Sequence, residues 1–169
     1  PATNNEFDLP FHWKQGDFKV DKKKLEKKIN STIIYGNIKY TVDQFLEKNP
    51  KNIIAIFFDM DTYTSTYSFL NQMTKLEKYL CPRVYCYFDD IFNPNHWINK
   101  HVGEILAIEK FNKESQNLKI GLALDNINDF KFPLAKSHLF ILNNFNHIDY
   151  KKYIGFESED TLSINDTKI

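Results

Sequence analysis

Glycine is scarce in this chain: 5 residues in 169, at Gly16, Gly36, Gly103, Gly121 and Gly155. No two lie close enough to make the Gly-x-Gly turn that lets a backbone wrap a cofactor phosphate at a strand end. Cysteine is scarcer, with Cys81 and Cys86 flanking an expected strand. Their spacing is neither a redox CxxC nor a four-ligand zinc set, which leaves two buried thiols in a reducing compartment. A charge surplus is also missing. Lys plus Arg and Asp plus Glu each number 22, so the basic footprint of a nucleic-acid binder is absent. The one basic stretch, 21–28, reads as a solvated helix face. The longest apolar runs, 53–58 and 137–142, are far too short to span a bilayer. The first residues have neither the basic start nor the apolar stretch of a secretory signal. A cytoplasmic protein with no membrane or nucleic-acid partner is expected.

What is present is an aromatic-rich core. Fifteen Phe, nine Tyr and two Trp argue against disorder, and 42% hydrophobic residues suffice for one globular domain. That domain is expected over 1–156, with a polar, loose tail at 157–169. Residues 1–20 read as loop. Asp21 can cap a helix over 22–29, and 32–35 is a short β-branched strand. Thr41 can cap a helix over 42–48, ended by Asn49-Pro50. Residues 52–58 are apolar throughout, which suits a parallel strand covered on both faces. A helix over 64–80, a strand over 83–88 after Pro82, and a helix from Asn95 to about Lys113 follow. Two strands, 118–124 and 138–142, close the order and can pair antiparallel. Alternation of this kind predicts an α/β fold with a mostly parallel sheet and an antiparallel carboxyl-terminal strand pair.

Two of these strands end in acids. The first runs Phe57-Phe58-Asp59-Met60-Asp61 and the second Tyr87-Phe88-Asp89-Asp90. Open α/β sheets bind ligands outside the carboxyl ends of their strands. If these strands are neighbours, Asp59, Asp61, Asp89 and Asp90 converge. Like charges that close need a cation between them, and a hard divalent ion such as Mg²⁺ suits oxygen donors. Asp61 could instead cap the next helix, and an Asp after a strand is often only a turn residue.

The stretch Asp59-Met60-Asp61-Thr62-Tyr63-Thr64-Ser65-Thr66, followed by Asp89-Asp90, resembles the metal-dependent O-methyltransferases of the macrocin type, which act on sugar hydroxyls. Upstream, Trp13, Gly16 and Phe18 resemble that family's Trp-x-x-Gly-x-Phe, and Gly36 with Thr41 resembles a Gly and Thr after its next strand. The resemblance runs from about Leu9 to Phe92. It implies a partial Rossmann-like methyltransferase sheet, with Asp59, Asp89 and Asp90 as metal ligands and Asp61 behind them or capping the helix. It also implies S-adenosylmethionine as methyl donor and a small hydroxyl substrate, such as a sugar. The family binds its donor through an amino-terminal strand and a Gly-rich turn, which this sequence lacks. Because the chain also opens on Pro1, the expectation is the carboxyl-terminal portion of a longer enzyme, inactive alone, with an exposed sheet edge open to self-association. The family's usual Gly-Gly before the second acidic strand is Cys81-Pro82-Arg83 here.

Other chemistries share the acidic element. Haloacid dehalogenase-type phosphatases use Asp-x-Asp-x-Thr, but Tyr63 stands at the fifth position, and the second acid pair follows too soon for their intervening elements. Metal-dependent glycosyltransferases also carry Asp-x-Asp after an apolar strand, which Asp59-Met60-Asp61 fits. A binding domain that kept the sheet and lost the chemistry is a third reading. Among the histidines, His96 near the second acidic strand is the candidate base, with Asp59 as the other catalytic candidate. His101 shares that reading but suits a packing or surface role better, His12 beside Trp13 could line the site entrance, and His138 in a strand and His147 in a loop show no partner.

Overall fold

The computed structural model describes residues 5–14, 19–91, 97–123 and 138–153. Its first helix, α1, covers Lys22–Lys28, and the Asp21 carboxylate accepts from the Lys24 amide at 3.2 Å, as expected of that cap. The strand expected at 32–35 does not form; these residues are irregular. Helix α2, Ile38–Leu46, starts earlier than expected because Asn37, not Thr41, caps it by accepting from the Lys39 amide at 3.0 Å. Thr41 is instead buried within the helix, and its methyl group would lie 2.8 Å from a Cβ on Gly36. Gly36 also has a φ of 151°, so both space and backbone demand glycine there.

Strand β1 is Ile53–Phe58. The helix expected over 64–80 breaks into α3, Tyr63–Leu70, and the single turn α4, Met73–Leu76, then a 3₁₀ turn, Glu77–Tyr79. The break falls at Asn71-Gln72, where the Gln72 amide bonds the Phe69 carbonyl at 2.8 Å instead of one four residues back. Strand β2, Leu80–Phe88, begins before Pro82 rather than after it. Proline is tolerated because the β1–β2 register slips at this point. Ile53 faces Leu80 and Ala55 faces Tyr85, so Pro82 lies in the bulge between. Helix α5, Gly103–Glu114, starts later than the sequence suggests; Asn95 lies outside the described residues. Strands β3, Leu118–Leu122, and β4, Leu139–Asn144, complete the order among the described residues. Expectations for 157–169 fall outside the described residues.

The four strands form one mixed sheet in the order β1-β2-β4-β3. Among neighbours only β1 and β2 pair parallel, but β4 runs antiparallel to both β2 and β3, so β1, β2 and β3 share one direction and β4 alone is reversed. The expected carboxyl-terminal antiparallel pair is present. Its last strand is inserted beside β2, an arrangement no local pattern specifies. Helices α3 and α5 pack together over one face. Val84, Cys86 and Phe88 of β2 point into that layer with Phe58, Leu70, Phe111, Ile120 and Leu142, and all are buried. The other face is open: Phe57 is 77% exposed and Tyr85 59%. Uniform hydrophobicity in β1 therefore does not mean cover on both sides. Cys81 and Cys86 are free thiols, and burial pushes that of Cys86 up to about 12. No helix among the described residues is long and apolar enough to cross a membrane.

Candidate metal site

Parallel pairing sets β1 and β2 level at their carboxyl ends. Phe58 lies opposite Phe88, and the two rings stack at 4.1 Å with planes 11° apart. Asp59 and Asp89 follow directly, so two chain segments leave the sheet side by side, each carrying acids.

The first segment turns sharply. Asp61 has φ 58°, in the left-handed region that Asp enters more readily than bulky residues. The Thr62 amide bonds the Met60 carbonyl at 2.6 Å, closing a three-residue turn around it. Thr62, not Asp61, then caps α3: its hydroxyl oxygen accepts from the Ser65 amide at 3.2 Å. A second acceptor reaches the same helix start from the amino-terminal segment, where the buried Asp8 carboxylate accepts from the Thr64 amide at 2.6 Å. With the orphan amides of α3 taken up by Thr62 and Asp8, the Asp61 side chain is not needed as a cap.

In the second segment a 3₁₀ turn, Asp89–Ile91, follows the strand directly and separates two adjacent acids. Asp89 is exposed beside Tyr87, whose hydroxyl bonds it; burial, then that bond and the Asp89 charge, raise the tyrosine hydroxyl's pKa. Asp90 turns toward the helices, and its amide donates to Glu104 Oε2 at 3.1 Å. Asp59, Asp61 and Asp90 each offer a carboxylate oxygen within 4.8 Å of the other two. Oxygens across a Mg²⁺ ion lie about 4.2 Å apart and those across a Ca²⁺ ion roughly 5 Å apart, so the three acids fit a hard divalent cation.

Electrostatics agrees with that fit. The Asp61 carboxyl is pushed up to about 7, first by burial, then by the charge of Asp90 and a hydrogen bond to it, then by Asp59 and Asp89. A proton shared between Asp61 and Asp90 thus relieves repulsion that a cation would relieve better. Behind them, Glu104 is fully buried and pushed up to about 8, by burial and the Asp90 charge. Its Oε1 accepts from the Thr66 hydroxyl at 3.1 Å.

The structure thus groups Asp59, Asp90 and Asp61, with Asp89 set toward Tyr87. His96, Gly16 and Phe18 lie outside the described residues, and Trp13 is half-buried against His12. Near the site Glu104 and Asp8 escape sequence reading, and the partner of His138 does too. Glu104 had a usable signal, since it holds the first position of the buried helix face Glu104, Ala107, Ile108, Phe111. Asp8 had none, because its partner is 56 residues away. His138 joins the end of β2 from 50 residues away: its Nδ1 donates to the Phe88 carbonyl at 2.7 Å, and its ring stacks on Tyr87. A carbonyl can only accept, so this bond puts the proton of the neutral ring on Nδ1 and leaves Nε2 with its lone pair. A groove of about 750 Å³ between α2 and β1 is apolar and lined by Ile38, Val42, Phe45 and Ile54 rather than by the acids. Comparison with protein-family models, with curated proteins and with solved structures finds no match.

Proposed function

We propose that Asp59, Asp61 and Asp90 hold a divalent cation, Mg²⁺ or a similar ion, in part of an enzyme that moves a methyl group from S-adenosylmethionine to a hydroxyl. The observation that carries the cation is the convergence of three carboxylate oxygens within 4.8 Å at the ends of two parallel strands. The methyl-transfer reading rests on the resemblance of 59–66 and Asp89-Asp90 to the macrocin-type enzymes, whose acceptors are sugar hydroxyls. An antiparallel pair at the carboxyl end of the sheet is in keeping with it.

A cation held by Asp59, Asp61 and Asp90 would supply Lewis-acid chemistry, lowering the pKa of an acceptor hydroxyl and orienting it. The protein's part is to hold the acids. Stacked Phe58 and Phe88 keep the two strand ends level, the turn at Asp61 aims a third carboxylate, and Glu104 fixes the Asp90 backbone. Asp89 and Tyr87 form the side of the site nearest the open face, where they would meet an acceptor's hydroxyls. His138 Nε2 is a proton acceptor at the same end of β2. No Gly-x-Gly turn is present in the sequence to hold the donor, so the 169-residue chain alone is expected not to bind S-adenosylmethionine appreciably.

Titration with Mn²⁺, followed by loss of the free-ion electron paramagnetic resonance signal, tests the cation. Binding by the unaltered chain and its loss in Asp61→Asn and Asp90→Asn is expected. No binding at millimolar Mn²⁺ would sink the metal reading. Micromolar binding of S-adenosylmethionine in calorimetry would overturn the expectation about the donor.

A further inference from the structure

We infer that Glu104 is the positioning residue of the acidic site, one carboxylate that fixes the spacing between its two branches. The inference rests on the metal reading above. Glu104 Oε2 accepts the Asp90 amide at 3.1 Å, which holds the branch leaving β2. Glu104 Oε1 accepts the Thr66 hydroxyl at 3.1 Å on α3, whose capping residue Thr62 directly follows Asp61. Thr66 is itself fully buried, and its amide bonds the Thr62 carbonyl at 3.1 Å. A rigid path therefore runs from Asp90 through Glu104 and Thr66 to Thr62 and Asp61.

Packing alone is a poor reason for an acid here. Glu104 lies on the apolar face of α5, among Ala107, Ile108 and Phe111, where Leu would fill similar space without placing another carboxyl beside Asp90. What Leu cannot do is accept two hydrogen bonds from two different elements. Groups that orient metal ligands from behind typically change affinity about 10–100-fold when removed.

Mn²⁺ titrations of the unaltered chain, Glu104→Leu, Glu104→Gln and Thr66→Val, each with a thermal melt, test this. Glu104→Leu and Thr66→Val should weaken Mn²⁺ binding by about 10–100-fold. Glu104→Gln should bind nearly as the unaltered chain does, because the amide accepts from Asp90 through Oε1 and donates to the Thr66 hydroxyl through Nε2. If Glu104→Leu does not fold, Thr66→Val and Glu104→Gln decide. Unchanged affinity in a folded Glu104→Leu or in Thr66→Val overturns the positioning role while leaving the metal site standing. Equal weakening in Glu104→Gln and Glu104→Leu overturns it too, since charge rather than spacing would then matter. Failure of the unaltered chain to bind Mn²⁺ removes the metal reading and this inference together, so the first titration separates the two.

Discussion

Asp89 and Asp90 are neighbours in the chain, yet they belong to different halves of the molecule. The side of β2 that carries Val84, Cys86 and Phe88 is buried under α3 and α5, and continuing it leads to Asp90, Glu104 and Asp61. The side that carries Tyr85 and Tyr87 is open, and continuing it leads to Asp89 and His138. The 3₁₀ turn after β2 thus sends adjacent acids different ways: Asp90 is half-buried against Glu104, and Asp89 is exposed. Under the proposed function the ion-holding set spans both sides, since Asp59 is exposed while Asp61 and Asp90 are half-buried, and Asp89 stays on the open side.

The largest effect should come from the covered side's core. Phe88→Ala should cost about 3–5 kcal/mol in urea unfolding, as expected for a fully buried aromatic. Phe57→Ala, at 77% exposure, should cost under about 1 kcal/mol. Similar losses for both would mean the open face is covered. Next in size, Asp90→Asn should weaken Mn²⁺ binding more than tenfold, whereas Asp89→Asn should change it by less than about threefold. Equal effects would erase the distinction between the two acids.

A smaller effect is set by pH. Asp61 rises from 3.8 to about 7 and Glu104 from 4.5 to about 8 on folding, so the folded chain holds more protons than the unfolded one between those values. Metal-free stability should therefore fall as pH rises from about 4 to about 8, and saturating Mg²⁺ should flatten the slope. Thermal melts across that range, with and without Mg²⁺, give the sign directly. Lys100→Ala, an exposed change in the loop before α5, should leave both stability and Mn²⁺ affinity unaltered.

Legibility in the sequence follows the range of the interactions involved. β1 and β2 were readable because unbroken apolar runs end abruptly in acids, and the Asp21 cap because its partner is three residues away. The break in the helix expected over 64–80 was not, since the apolar spacing continues across Asn71-Gln72. Proline misled at position 82 because a bulge, visible only in the pairing, accommodates it. Within the site, the acids after each strand were plain from order alone. Which of them converge depends on one left-handed residue, Asp61, and on the 3₁₀ turn, Asp89–Ile91, that follows Phe88. Glu104 was legible in principle, once an acid on the apolar face of α5 is taken as a signal rather than an irregularity.

The insertion of β4 beside β2 has a kinetic consequence. Fifty residues separate Phe88 from Leu139, so at ribosomal rates of about 5–20 residues per second the second edge of β2 waits roughly 3–10 s for its partner. During that wait β2 can pair only with β1, and its other backbone edge is open to another nascent chain. The strand that aims Asp90 is thus held on both sides only after the last strand has emerged. Slow synthesis, or a stop between residues 89 and 138, would favour aggregation over an ordered acidic site.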